Sequence, residues 1–203
     1  AAVRVADMLG DVLAPGSAVL DACAAPGGKA FRLASRGFAV HAVDRNADRL
    51  QMVRDGAKRL GLSVTVRPHD WLRGPISSQK QVDGVLVDAP CSGLGTVRRH
   101  PEIRWRRQPA ELASAGERQL DILSAASAHV APGGWLLYAV CSPEPEEGES
   151  VVNAFLKAHP DFVVDTTLLT APPEQGEDAH AAFRMRRQGV SSPMFQQYAQ
   201  LKA

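Results

Sequence analysis

Short apolar runs rich in Val, Leu and Ala alternate along this chain with longer segments whose apolar residues recur every three or four positions. That alternation limits the fold severely. Strand-sized runs separated by helix-sized segments cannot close as hairpins, and the remaining solution is a parallel sheet covered by crossover helices. Five runs set the frame: Ser17 to Leu20 before Asp21, Phe38 to Val43 before Asp44, Ser63 to Arg67 before Pro68-His69-Asp70, Val82 to Val87 before Asp88, and Trp135 to Val140 before Cys141. A Pro-Gly-Gly turn at 132–134 precedes the last of them. The stretches 27–36, 46–60, 109–130 and 146–158 carry the helical spacing of surface helices. Asp161 to Asp165 and Ala181 to Arg187 read as two further strands, 166–180 as a polar loop, and 188–203 as a tail. The expected fold class is α/β, a doubly wound, mostly parallel Rossmann-like sheet.

In such a sheet the ligand crevice lies outside the carboxyl ends of the strands, so residues following successive runs converge. Here those residues are Asp21, Asp44, Asp70, Asp88 and Cys141. The competing explanation for each carboxylate is that Asp caps the following helix. The first turn, Asp21-Ala22-Cys23-Ala24-Ala25-Pro26-Gly27-Gly28-Lys29, places two glycines between strand and helix, where backbone amides can approach a ligand closely. It is not a phosphate-binding loop, since no Gly stands at the required spacing before Gly28 and Ala30 occupies the Ser/Thr position. Asp44, closing the second run, suits two ribose hydroxyls because a carboxylate only accepts. Together these features imply an adenosine-type ligand without a 2′-phosphate.

Bulk composition mainly excludes. A chain of 203 residues, 45% apolar, favours one domain, here 1–187, over two. With 23 Lys and Arg against 22 Asp and Glu, the formal charge is +1, so any attraction to nucleic acid must be local. Cys23, Cys91 and Cys141 have neither the spacing of a zinc site nor the density of a disulfide framework, which points to free thiols and a cytoplasmic setting. No window approaches the roughly 18 apolar residues of a membrane span. The first residues are Ala-Ala-Val-Arg, with helical spacing from the outset and no initiator Met, so the expectation is a piece of a longer chain. A monomer is expected.

One segment supplies local charge. Val97 to Gln108 holds Arg98, Arg99, Arg104, Arg106 and Arg107 around Trp105, a mixture of cations and an aromatic that suits a single-stranded RNA path. The alternative is a solvated loop beside a core Trp. A second arginine group, Arg184, Arg186 and Arg187, carries a weaker suggestion of RNA contact, because alternate positions on an edge strand are often basic for solubility alone.

Three motifs combine: Asp21 to Lys29 as quoted; Asp88-Ala-Pro-Cys-Ser-Gly-Leu-Gly-Thr96 running into Arg98-Arg-His-Pro-Glu-Ile-Arg-Trp105; and Tyr138-Ala-Val-Cys-Ser142 followed by acidic residues. With them the chain resembles the RNA (cytosine-5)-methyltransferase family, in particular its bacterial 16S ribosomal RNA branch. The resemblance implies a class I S-adenosylmethionine-dependent methyltransferase fold, with the cofactor held by Cys23, Ala24, Ala25, Pro26, Gly27, Gly28, Lys29, Asp44, Asp70 and Asp88. It implies Cys141 as nucleophile toward cytosine carbon 6, Cys91 as the thiol assisting product release, and Asp88 at the polar edge of the base. Cytosine carbon 5 is too weak a nucleophile to be methylated unaided, and thiolate addition at carbon 6 activates it. DNA cytosine methyltransferases use the Pro-Cys position, which keeps Cys91 as the alternative nucleophile. The chain departs from the family at Val140, at Ala30 and at Asp178-Ala-His-Ala-Ala-Phe183. Three other readings stay open: a non-catalytic cofactor- and RNA-binding domain, a transfer RNA methyltransferase, and a small-molecule methyltransferase on the same fold.

Overall fold

In the computed structural model, which describes residues 1–106, 108–170 and 177–189, the runs form one seven-stranded sheet of order β3-β2-β1-β4-β5-β7-β6. Its strands are β1 (Ala18–Asp21), β2 (Ala39–Asp44), β3 (Val64–Pro68), β4 (Val82–Asp88), β5 (Val130–Val140), β6 (Phe162–Thr170) and β7 (His180–Arg187). The stretch from β3 to β5 is parallel, while β7 pairs antiparallel with both β5 and β6. Reversal of strand order at β1 and β4 makes the switch point at which such folds bind ligands.

Alternation along the central strands sorts the core onto two faces. Leu20, Val85, Val87 and Tyr138 pack against Leu123 of α5 (Pro109–Ser127) and Phe155 of α6 (Glu149–Ala158). Their neighbours Val19, Leu86, Leu137 and Ala139 point the other way. They meet Leu9 of α1 (Ala2–Gly10), Leu33 of α2 (Gly28–Ser35) and Leu50 of α3 (Ala47–Leu60). Both faces being covered explains why these strands read as nearly continuous apolar runs. Helix limits follow local chemistry. Asn46 accepts the Arg49 N–H at 2.9 Å to start α3, and Gly61, at φ 65°, ends it.

Three expectations need correction. Residues 166–170 are not loop but the second half of β6, whose outer edge faces solvent and so tolerates the polar sequence that suggested a loop. Pro132 to Gly134 do not precede β5; they bulge out within it, so that Val82 pairs with Val130 but Gly84 with Trp135. Arg184, Arg186 and Arg187 do not lie on an edge strand, because β7 is flanked on both sides. Arg184 and Arg187 bond Asp165 and Asp161, and Arg184 and Arg186 flank the Trp135 ring at 5.3 Å each. The charges of Arg184 and Arg187 are thus paired within the fold, while Arg186 is exposed. The proposed tail lies outside the described residues from 190 onward, although Gln188 N–H still donates to Asp161 at 2.7 Å.

Candidate active site

The first turn is pinned from both sides. Ala22 N–H donates to Leu86 of β4 at 2.8 Å, and Ala24 N–H to Val43 of β2 at 2.9 Å. Gly27 adopts φ 116°, and a Cβ there would stand 2.4 Å from the Phe31 ring, so both conformation and space require glycine. Asp44 completes the anchoring, accepting the Ala25 N–H at 3.1 Å and the Asn46 N–H at 2.9 Å. One acceptor site on each oxygen is then in use, and a carboxylate offers about four. Asp70 accepts the Leu72 N–H at 3.1 Å, so for this residue helix capping and a place in the cleft both hold.

Asp21 is different. It is 1% exposed, and neither carboxylate oxygen has a hydrogen-bond partner. Burial, with the Asp88 charge in second place, pushes its carboxyl up to about 7. An unpartnered buried carboxylate lining a cleft is a site prepared for a cation or a polar ligand.

At the ends of the neighbouring strands β4 and β5, the turns carrying Cys91 and Cys141 bring the two sulfurs within 3.1 Å. The sulfur of Cys141 is held below the usual thiol range by the hydrogen bond from Cys91, and Cys91 is pushed far above it by the same bond and by burial. Both directions correspond to Cys91 donating to the Cys141 sulfur. Cys23, by contrast, is raised by burial. Lys29 reaches from α2 to Asp88 at 2.5 Å, placing one cation and one anion beside the sulfurs. Gly95 bridges the next layer: its N–H donates to Cys141 O at 3.0 Å and its carbonyl accepts the Ala179 N–H at 3.0 Å. A Cβ there would lie 2.1 Å from the Ala179 oxygen.

These groups line one cleft of about 820 Å³, within the usual size of a small-molecule site. Among the predicted cofactor residues, Gly27 alone does not line it; its role is the turn. The arginine segment divides. Arg99 lines the cleft but makes a forked pair with Asp178, whereas Arg104, Trp105 and Arg106 form the short helix α4 (Ile103–Arg106) on the surface. Trp105 is 86% exposed, which rules out the core-Trp alternative. Arg98 is exposed as well, and Arg107 lies outside the described residues.

Sequence reasoning missed Trp71, whose indole N–H donates to Ala22 O at 2.7 Å to form a cleft wall, and His180, a buried wall residue whose imidazole is lowered by burial. His180 had a signal: it interrupts the apolar β7 run where the chain departs from the family. Glu147 had none.

Comparison with known proteins matches residues 12–196 to the family model described as 16S rRNA methyltransferase RsmB/F. The chain is 41% identical over 169 residues to ribosomal RNA small subunit methyltransferase B of Cronobacter sakazakii, covering 80% of this chain and 39% of that one. It thus spans about two fifths of the length of such relatives. Among solved structures, PH0851 is 30% identical with a TM-score of 0.85, covering 91% of this chain and 45% of that one. The NSun6 structure from Pyrococcus horikoshii with SFG, 23% identical with a TM-score of 0.76, covers 94% and 52% and shares the fold.

Proposed function

The chain belongs to the 16S rRNA methyltransferase RsmB/F family, and from that premise we propose that it is the S-adenosylmethionine-dependent catalytic domain of an enzyme forming 5-methylcytosine in ribosomal RNA. The observation that carries this reading is the contact of Cys91 and Cys141 inside a cleft that also presents free carboxylate acceptors.

S-adenosylmethionine, when bound, supplies a methyl group on an electrophilic sulfonium. The residues present fit such a group. Asp21, unpartnered, suits its α-ammonium; Asp44 has acceptor sites left for two ribose hydroxyls; Asp70 faces the same space and suits the adenine amino group; and the backbone from Cys23 to Lys29 forms the floor. Cys141 thiolate adds to cytosine carbon 6, forming an S–C bond and shifting the ring electron pair to carbon 5, which becomes the nucleophile. After methylation, carbon 5 gives its proton to solvent water, the electron pair left behind restores the ring double bond, and the S–C bond breaks to return the Cys141 thiolate. Cys91, the proton-bearing partner, assists that release, and the Lys29–Asp88 pair holds the polar edge of the base. Arg98, Arg99, Arg104, Trp105 and Arg106 extend from the cleft as the RNA path, and Arg107, outside the described residues, adds a further cation to the same segment of sequence.

Two sulfurs in contact within a cleft are chemistry that a non-catalytic binding domain does not need, and an exposed Trp among arginines is surface that a small-molecule enzyme does not need. Ribosomal RNA is favoured over transfer RNA by the relatives' names, and a cytoplasmic site follows from that substrate. Among the described residues, no helix is long and apolar enough to cross a membrane. The test is incubation with methyl-labelled S-adenosylmethionine and separate ribosomal and transfer RNA pools. Label should enter ribosomal RNA at cytosine carbon 5, and Cys141→Ala should abolish it; label in transfer RNA alone would move the substrate, and full activity of Cys141→Ala would refute the nucleophile.

A further inference from the structure

The sulfur contact needs an explanation that strand pairing does not supply. Ladder bonds between β4 and β5 stop at Asp88 and Ala139, with one more from Ala89 N–H to Ala139 O, before either cysteine is reached. Beyond that point the two turns are joined by one main-chain bond, from Gly95 N–H to Cys141 O at 3.0 Å, and by a side-chain network centred on Glu147. The Glu147 side chain is fully buried, an expensive place for a carboxylate unless donors surround it. They do. Oε1 accepts the Ser92 N–H at 2.7 Å and the Gln119 amide at 3.0 Å, and Oε2 accepts the Ser92 hydroxyl at 2.5 Å.

The same network closes around the other cysteine. Ser92 Oγ lies 3.3 Å from Ser142 Oγ, and Gln119 also donates to Pro90 O at 3.0 Å, so Cys91 is bracketed on both sides. The Tyr138 hydroxyl donates to the Glu147 carbonyl at 2.5 Å, fixing the acidic turn against β5. Residues 90 and 92 on one turn are thus tied, directly or through Gln119, to 142 and 147 on the other, with Cys91 between the first two and Cys141 immediately before the third.

We propose that Glu147 is a positioning residue for the sulfur pair: by accepting from the Cys91 turn while anchored behind Cys141, it holds the two sulfurs in contact. Contact is what lets Cys91 donate to Cys141 and stabilise the nucleophile as thiolate. The chemistry at this position is specific. Both oxygens of Glu147 accept, Oε1 from two N–H groups that can only donate; an amide can keep Oε1 in place only by presenting its N–H to the Ser92 hydroxyl, which must then turn from donor to acceptor. The proposal deepens the reading of Cys141 as nucleophile and rests on it for its functional meaning, but its test does not need RNA.

The experiment measures alkylation of Cys141 by iodoacetamide against pH, by mass spectrometry on the full chain. It compares the unsubstituted protein with Glu147→Gln, Ser92→Ala, Cys91→Ala and the exposed control Glu146→Gln. The other charged groups around Cys141, namely Asp88, Lys29, Arg99, Asp178 and His180, are the same in all of them. Glu147→Gln should raise the Cys141 midpoint by about one pH unit, a roughly tenfold slower reaction at neutral pH, approaching the value of Cys91→Ala. Ser92→Ala, which removes the hydroxyl links to Glu147 and Ser142 but keeps the Glu147 carboxylate on the residue 92 N–H and Gln119, should shift it the same way but less, and serves if Glu147→Gln does not fold; Glu146→Gln should not shift it. An unchanged midpoint in folded Glu147→Gln, or in Ser92→Ala where that one does not fold, overturns the proposal. Failure of the unsubstituted protein to methylate cytosine would instead refute the assigned reaction and leave the alkylation result standing.

Discussion

At the first turn the groups facing the cleft are backbone amides and carboxylates tied by hydrogen bonds to β2 and β4, whereas at the ends of β4 and β5 they are two sulfurs in contact, with an ion pair beside them. One end is suited to binding: its turn is pinned by main-chain hydrogen bonds to both neighbouring strands. The other end is suited to proton and electron-pair movement, since its two sulfurs lie within hydrogen-bond reach of each other. Division of a cleft into a fixed half and a titrating half lets affinity and reactivity be changed separately. Asp21 alone breaks the division, a titrating group in the fixed half.

The strongest way to sharpen the contrast is at the sulfurs. Cys91→Ala should accumulate a methylated RNA adduct that survives a denaturing gel, because release is the impaired step, while Cys141→Ala should give neither adduct nor product; both should bind S-adenosylmethionine normally. An adduct formed by Cys141→Ala and lost in Cys91→Ala would reverse the assignment. Asp21→Asn comes next. The folded-state value of about 7 lies above the ordinary 3.8, so the folded chain holds a proton that the unfolded chain has lost, and stability falls as pH rises from about 4 to 7. Removing the charge should stabilise the ligand-free protein at pH 8 by an amount on the order of a few kcal/mol, leave pH 4 little changed, and weaken cofactor binding. Equal melting shifts at both pH values would place Asp21 with the fixed groups.

Asp44→Ala should weaken S-adenosylmethionine binding by about 1.5–3 kcal/mol in calorimetry without altering Cys141 alkylation, as expected for lost hydrogen bonds to a charged acceptor. A change in thiol reactivity there would show that the halves are coupled. The smallest effect is outside the cleft. Replacing Arg104 and Arg106 by Ala should lower RNA affinity a few-fold and reduce the salt slope by about 1.4, two single-strand phosphate contacts' worth, with cofactor affinity intact. If the slope is unmoved, α4 is only a solvated surface.

The fixed half was legible in the sequence because its parts are local: each carboxylate closes a strand, and the glycines of 27–28 stand where the chain must turn. The sheet was legible for the same reason, up to two places where local chemistry misleads. Pro132, Gly133 and Gly134 have the composition of a turn, yet the ladder resumes beyond them, and no local signal distinguishes a wide bulge from a strand start. Thr166 to Thr170 look like loop because β6 has a solvent edge. The titrating half was legible only in its atoms. Both cysteines could be named, but fifty positions separate them, and of the glutamates at 144, 146, 147 and 149 only Glu147 is buried. Its partners Ser92 and Gln119 come from elements that no short-range pattern connects to it.

Gly95 links Cys141 to Ala179 through its own N–H and carbonyl, with no space for a β-carbon. The constraint is steric and indifferent to turnover. Among descendants of this chain, a lineage that abandoned catalysis and let its cysteines drift would still inherit glycine at position 95, because any side chain there would first have to push two segments of main chain apart. Persistence of this glycine is therefore a record of the fold, and persistence of the cysteines is the separate record of use.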